Sequence, residues 1–229
     1  MTGKYKTEVD LKNSNSSQSL IVQLTGPGKR VLDVGTATGY VAKALVKRGC
    51  EVTGVEINPE AAEQAEEHCK RVIVGDIESM DLAAELGDET FDVIVFGDLL
   101  EHLKEPLQTL ERFKSFLNSE GYVISSIPNI AHGSVRLALL QGEFRYRTLG
   151  LLDDTHLRFF TLDSVKQLFA DAGFLIDVLE RTRLGIFATE IEVDRDTVPE
   201  ETLDRIRKDP EALTYQFVLT AYPSGGSPM

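Results

Sequence analysis

Short apolar runs alternate with stretches of helical spacing through the first half of the chain. Val31–Val34, Val52–Val55, Val72–Val74, Phe91–Phe96 and Tyr122–Ile127 read as five strands, being short, rich in β-branched and aromatic residues, and bounded by Gly, Asp or Pro. Between them Tyr40–Arg48 has helical spacing through Val41, Leu45 and Val46, and a helix opened by Asn58 and Pro59 runs through Ala61, Ala62 and Ala65. Further helices are expected near Asp81–Leu86 and from Pro106 to Leu117. Apolar strands separated by helices predict a parallel sheet covered on both faces.

After Pro128 the pattern changes. Ala131–Gln141 reads as a helix, Gly142–Gly150 as an aromatic and basic loop, and Thr161–Ala172 as an amphipathic helix closed by Gly173. Strand candidates Leu175–Leu179 and Thr214–Ala221 bracket an acidic stretch around Glu190–Glu211. At the other end, polar Asn13–Gln18 leads into a short helical segment, Leu20–Leu24, that stops at Gly26-Pro27-Gly28. The expected organisation is one domain over residues 1–223. Residues 1–28 and 130–160 are its expected lids, 185–212 an acidic insertion and 224–229 a disordered tail.

Composition narrows the class. The 229 residues are 42% hydrophobic and 27% charged with 18 Gly and 8 Pro, which excludes collagen-like and disordered chains. The net charge of −13 opposes a phosphate backbone or an anionic membrane as a bulk partner, so a small-molecule partner is expected and nucleic acid is not. The acidity is local: Glu51–Asp98 holds 14 acidic and 2 basic residues, whereas Ala131–Phe160 holds four arginines against three acids. Two cysteines, Cys50 and Cys69, form no framework, and the start lacks the apolar stretch of a signal peptide, which together predict a cytoplasmic protein. The best apolar run, Val93–Leu100, is interrupted by Gly97 and Asp98 and cannot span a bilayer.

The most specific segment is Val31–Tyr40, a strand running into a Gly35-x-x-x-Gly39 loop and a helix. Glycine at a strand's carboxyl end lets the backbone approach a ligand, which points to a nucleotide-type site involving Asp33, Gly35, Thr36, Ala37, Gly39 and Tyr40. At the end of the next strand Glu56 offers a carboxylate to both hydroxyls of a ribose. After the third, Asp76 could accept an adenine amino group while Ile57 and Ile77 sandwich the ring.

The series Asp33–Tyr40, Glu56, Gly75-Asp76 and Phe91–Val95 resembles the successive motifs of class I S-adenosylmethionine-dependent methyltransferases, over roughly Val31 to Leu179. The resemblance implies a Rossmann-like, doubly wound α/β fold whose seven-stranded sheet is mostly parallel, with the last strand, Thr214–Ala221, antiparallel. It implies that Asp33 and Gly35 hold the methionine end of the donor, Glu56 its ribose and Asp76 its adenine, with Asp98 near the methyl group. Ala37 departs from the family, many of whose members carry a middle glycine there. Two other classes stay in view: a nicotinamide-dependent oxidoreductase, whose loop should read G-x-G-x-x-G, and a catalytically silent donor-binding module.

On the acceptor side, Asp98, Glu101 and His102 follow the fourth strand, and His132 and His156 lie in loops beyond it. An imidazole suits deprotonation of a hydroxyl, so His102, oriented by Asp98 or Glu101, is the candidate general base. Asp98-x-x-Glu101-His102 also resembles the E-x-x-E-H pattern of ubiquinone-pathway and small-RNA 2′-O-methyltransferases, where carboxylates and histidine can hold a divalent cation; metal-assisted transfer is therefore an alternative reading, for which His156 could supply a further ligand because oxygen and imidazole together suit several such ions, and Asp98 is shorter than the family's first Glu. Asn129 faces the same cleft, and Arg136, Arg145, Arg147 and Arg158, interleaved with Phe144, Tyr146, Phe159 and Phe160, could hold a phosphate or carboxylate and stack a ring or sugar face. Pro128-Asn129-x-x-His132 with Leu151–Thr161 looks like the branch associated with sugar and polysaccharide biosynthesis, which implies O-methylation of a sugar-like or anionic acceptor. N- or C-methylation of another small metabolite is the alternative.

Overall fold

The computed structural model describes residues 8–225; residues 1–7 of the expected N-terminal lid and 226–229 of the expected tail lie outside them. The chain runs α1 (Ser17–Thr25), β1 (Arg30–Val34), α2 (Tyr40–Val46), β2 (Glu51–Glu56), α3 (Pro59–Ala65), β3 (Arg71–Val74), α4 (Leu82–Leu86) and β4 (Phe91–Gly97). It continues through α5 (Pro106–Phe113), β5 (Leu117–Pro128), α6 (Gly133–Leu140), α7 (Leu162–Asp171), β6 (Phe174–Arg183), α8 (Glu200–Arg207) and β7 (Thr214–Pro223). The seven strands form one sheet of order β3-β2-β1-β4-β5-β7-β6. β1 to β5 pair in parallel, and β7 inserts antiparallel between β5 and β6. The expected fold class is the one found.

The period-two alternation of the strands sorts the core into two layers. Leu32, Val34, Ile94 and Phe96 face α4, α5 and α7 through Leu82, Leu110, Phe113, Val165 and Phe169. Val31, Val93 and Val95 face the opposite layer, where α1 and α2 contribute Ile21, Val22, Val41 and Leu45. Both faces are covered, so the central strands read as continuous apolar runs. The caps are local and strong: the Asn58 side chain accepts from Glu60 N and Ala61 N, and Thr161 with Ser164 forms a capping box on α7.

Several boundaries differ from expectation. The helix from Pro106 stops at Phe113 and is followed by a 3₁₀ turn, Lys114–Phe116, because Leu117 already pairs with Phe91. β6 reaches Arg183 because β7 pairs with it throughout. The acidic stretch contains α8, which buries only Leu203 and Ile206 against Leu137 and Ile186. Among the described residues no helix is long and apolar enough to cross a membrane.

β1 is the switch point of the sheet, since β2 and β3 extend to one side of it and β4 onward to the other. In doubly wound sheets the crevice outside the carboxyl ends at such a point binds ligands. Gly39 ends the loop after β1 with φ of +76°, and a Cβ there would stand 2.9 Å from Ala65 Cα on α3. Gly39→Ala should therefore destabilise by about 2–3 kcal/mol, combining left-handed backbone strain with displaced helix packing. Gly142→Ala, with φ of +75° and nothing within 4 Å, should show the backbone cost alone, about 1 kcal/mol. Urea unfolding of the two variants checks the difference.

Candidate functional site

The loop after β1 is fixed to β2 by its backbone. Gly35 N–H and Thr36 N–H both donate to Val55 O, at 2.8 and 3.0 Å. Ala37 N–H donates to Glu56 Oε2 at 2.8 Å while Asn58 N–H donates to Oε1 at 2.9 Å, so Glu56 clamps the loop of β1 to the turn after β2. Ala37 adopts φ of +50°, a conformation glycine takes freely, and its N–H bond to Glu56 holds it there. Asp33 is buried and accepts from Thr36 Oγ1 at 2.7 Å. Burial pushes its carboxyl up to about 6, with the Thr36 bond opposing and Glu56 adding to the shift.

Asp33, Gly35, Thr36 and Tyr40 converge with Asp98 on one cleft, which Gln18 and Ile21 of α1 also line. Asp76 sits exposed after β3, accepting from Glu78 N–H. Ile57 is 64% exposed beside it, whereas Ile77 is 7% exposed and packs into the core with Leu82 and Leu86, so only the Ile57 side offers an open apolar face.

Asp98 also has φ of +50°. Its Oδ1 accepts from Ser126 Oγ at 2.6 Å and from Gln216 Nε2 at 2.8 Å, and burial raises its pKa. Glu101 is 1% exposed, and both its carboxylate oxygens are buried with no hydrogen-bond partner. Burial, with Asp98 and Asp153 nearby, raises its pKa well above the ordinary carboxylate value. His102 Nδ1 lies 3.2 Å from Thr155 O and from Thr155 Oγ1, and its ring stands edge-on to His156 at 4.8 Å. Ligand atoms of Glu101, His102 and His156 all fall within 4.8 Å of one another. The expected orientation of His102 by Asp98 or Glu101 is corrected: Asp98 is held by Ser126 and Gln216, the Glu101 carboxylate makes no hydrogen bond, and Thr155 positions the imidazole.

The other acceptor-side candidates divide. His132 is fully buried and caps α6: its Nδ1 accepts from Ser134 N–H, which leaves Nε2–H to donate to Leu184 O at 3.1 Å, and burial lowers its pKa. Asn129 is buried too, donating to Glu211 O and Thr214 O. Arg136 donates to Ala131 O and pairs with Asp209 at 2.6 Å. These three brace the corner after β5 and are not brought to the cleft. Arg158 donates to Lys104 O, Arg145 pairs with Glu143, Arg147 reaches Glu192 at 4.0 Å, and Tyr146 stands edge-on to Phe144 on the exposed loop. Gln18, Ser126 and Gln216 did not stand out in the sequence. Gln216 carries the one side-chain amide of β7, and that is the signal that marks it.

Residues 15–178 match a protein family described as a methyltransferase domain. The chain belongs to the class I S-adenosylmethionine-dependent methyltransferases. It is 29% identical over 153 residues to a ubiquinone biosynthesis O-methyltransferase of Psychrobacter arcticus, a match covering 64% of this chain and 59% of that one. The chain thus spans little more than half the length of the curated relatives it matches. In fold it is similar to a SAM-dependent methyltransferase from Archaeoglobus fulgidus, with TM-score 0.64 and 20% identity over 93% of this chain and 94% of that one. It is also similar to the magnesium protoporphyrin IX methyltransferase of Synechocystis with bound SAH, with TM-score 0.58 and 16% identity over 90% and 78% of the two chains.

Three residues beyond Asp98 of the cleft, buried Glu101 is a group whose ionisation folding opposes. Because the pKa of Glu101 is raised on folding, its favourable contribution is full below the ordinary carboxylate value of 4.5 and is lost as pH rises above it. The stability of Glu101→Gln relative to the parent should therefore improve between pH 4 and pH 8, a comparison read from urea midpoints at each pH.

Proposed function

We propose that the protein transfers a methyl group from S-adenosylmethionine to an oxygen of a small, sugar-like or anionic acceptor. What carries the reading is the meeting, at the switch point of the sheet, of the Gly35–Gly39 loop, the buried Asp33 carboxylate and the Glu56 clamp. Gly35 and Asp33 take the methionine end of the donor, Glu56 its ribose and Asp76 its adenine. In the transfer the bond from carbon to sulfur breaks with its electron pair left on sulfur, and a bond from carbon to the acceptor oxygen forms. Alignment supplies most of the acceleration. The acceptor's hydroxyl proton passes to Nε2 of His102, which is the basic nitrogen when Nδ1–H donates to Thr155 O. The O-methyltransferase named among the relatives supports oxygen as the target.

A second reading has its own observation. The unpartnered Glu101 carboxylate beside His102 and His156 fits a divalent cation, since oxygen and imidazole ligands together suit several such ions. Glu101, His102 and His156 would hold it, while Asp98, engaged with Ser126 and Gln216, stands apart. Bound there, a cation supplies Lewis-acid polarisation of an acceptor oxygen.

Calorimetry with S-adenosylhomocysteine should show binding that weakens as pH falls through about 6, because protonated Asp33 no longer attracts the ligand's ammonium group. Asp33→Asn should flatten that dependence, and silence toward this ligand with heat from a nicotinamide dinucleotide would overturn the donor assignment. Methyl-labelled donor incubated with a small-molecule cell extract should label an acceptor. His102→Ala should cut that labelling by about a hundredfold or more at unchanged donor affinity. Labelling abolished by chelation and restored by Mg²⁺ or Mn²⁺ selects the cation reading, whereas labelling that survives exhaustive chelation removes it.

A further inference from the structure

A second cavity, of about 200 Å³, lies between the segment leading into α1 and the carboxyl-edge ends of β6 and β7. Asn13, Asn15 and Gln18 line one side, and Thr182, Arg183 and Gln216 the other. Two residues join it to the methyl-transfer centre: Gln18 lines both this cavity and the donor cleft, and Gln216 donates to the Asp98 carboxylate. We propose that this cavity, rather than the arginine-bearing loop of residues 142–158, seats the acceptor, and that the acceptor is a polyhydroxylated molecule carrying one anionic group. The proposal rests on the methyl-donor reading above, because a donor in the cleft is what makes the adjoining cavity the place for its acceptor.

The wall is built and not incidental. Asn15 joins the N-terminal segment to the end of β6 through two bonds, Asn15 Nδ2 donating to Arg183 O at 2.8 Å and Arg183 N–H donating to Asn15 Oδ1 at 2.6 Å. Thr182 Oγ1 accepts from Gln216 N–H, which locks β6 to β7 at the cavity floor. With those bonds made, the side-chain amide nitrogens of Asn13 and Gln18 and the guanidinium of Arg183 make no hydrogen bond among the described residues. They are donors left over.

The chemistry of the wall selects the ligand. No carboxylate is among the lining residues, and Arg183 is the one charged side chain there. Arg181, two positions before it, is already spent in a bidentate pair with Glu211. An apolar acceptor would cover these amides without satisfying them, at a cost of about 1–3 kcal/mol for each stranded group. A polyol offers hydroxyl oxygens to the amide donors, and one anion matches the single guanidinium fork. The loop arginines are worse placed, since Arg145 and Arg158 already have protein partners and Arg147 reaches toward Glu192.

The test uses the full chain saturated with S-adenosylhomocysteine, whose binding is established first; failure at that step overturns the donor reading and not this cavity alone. Isotope-labelled protein is then titrated separately with D-glucose 6-phosphate, D-glucose and inorganic phosphate while backbone amide shifts are followed. The expected result is that the sugar phosphate binds most tightly and moves signals of Asn15, Gln18, Arg183 and Gln216. Arg183→Ala should weaken it at least tenfold, Arg183→Lys should recover part of that loss, and donor affinity should stay within twofold in both. Shifts centred on Arg145–Arg158, phosphate binding as tightly as the sugar phosphate, indifference to Arg183→Ala, or no saturable shift with any probe would each overturn the proposal.

Discussion

Three carboxylates at the ends of two adjacent strands, Asp33 and Glu101 buried and Asp98 half-buried, set the terms for the whole carboxyl edge. Asp33 lies in β1, Asp98 directly after β4 and Glu101 in the turn that follows, and burial raises the pKa of each. A buried acid must be neutralised, hydrogen-bonded or met by a cation. Here the satisfaction is graded: Asp33 has Thr36, Asp98 has Ser126 and Gln216, and Glu101 has no partner for either oxygen. The gradient ends where an external partner would be most valuable. A fold that only needed to be stable would have placed amides or apolar side chains at these positions, so the cost is understandable as preparation for positively charged ligands.

The backbone shows the same economy. Ala37 and Asp98 both sit at φ of +50°, each in the loop that leaves one of the two adjacent central strands, β1 and β4. A non-glycine residue there costs about 1 kcal/mol. Each is held by the neighbour on its outer side: Glu56 at the end of β2 fixes Ala37 N–H, and Ser126 near the end of β5 fixes Asp98 N–H. The strands outside the switch point thus hold open the loops of the strands inside it, and the crevice between β1 and β4 is a product of four strands.

This division explains what could be read from sequence. The alternation of strands and helices in a covered parallel sheet follows from short apolar runs and glycine loops, which are local signals, and so do the positions of Asp33, Glu56 and Asp98 at strand ends; the antiparallel last strand is implied by the family resemblance and not by those runs. Roles that depend on a distant partner are not local. Asn129, His132 and Arg136 have the chemistry of ligands, yet they answer Thr214, Leu184 and Asp209, all more than 50 positions away. His132 carries a readable hint in Ser134 two residues on, the mark of a helix cap. α8 was hidden for another reason, since only Leu203 and Ile206 turn inward from a sequence otherwise polar.

Charge ties the two ends of the sheet to two kinds of ligand. The acidic excess between Glu51 and Asp98 lies in the half of the sheet that runs from β2 to β4, where the proposed donor site would receive a sulfonium and an ammonium group. At the other end β6, paired antiparallel with β7, carries Arg181 and Arg183, two cations against Glu211, which pairs with Arg181 and is also attracted by Arg183. A field that is negative over the donor crevice and locally positive at Arg183 orients unlike charges toward neighbouring pockets. On the proposed reading each ligand is then disfavoured in the other's place: an anionic acceptor would be repelled by Asp33 and Glu56, and a cationic donor would gain nothing beside Arg183. With the shared wall at Gln18, that polarity makes two adjoining small cavities chemically distinct, the condition for bringing two reactants together in one order and one orientation.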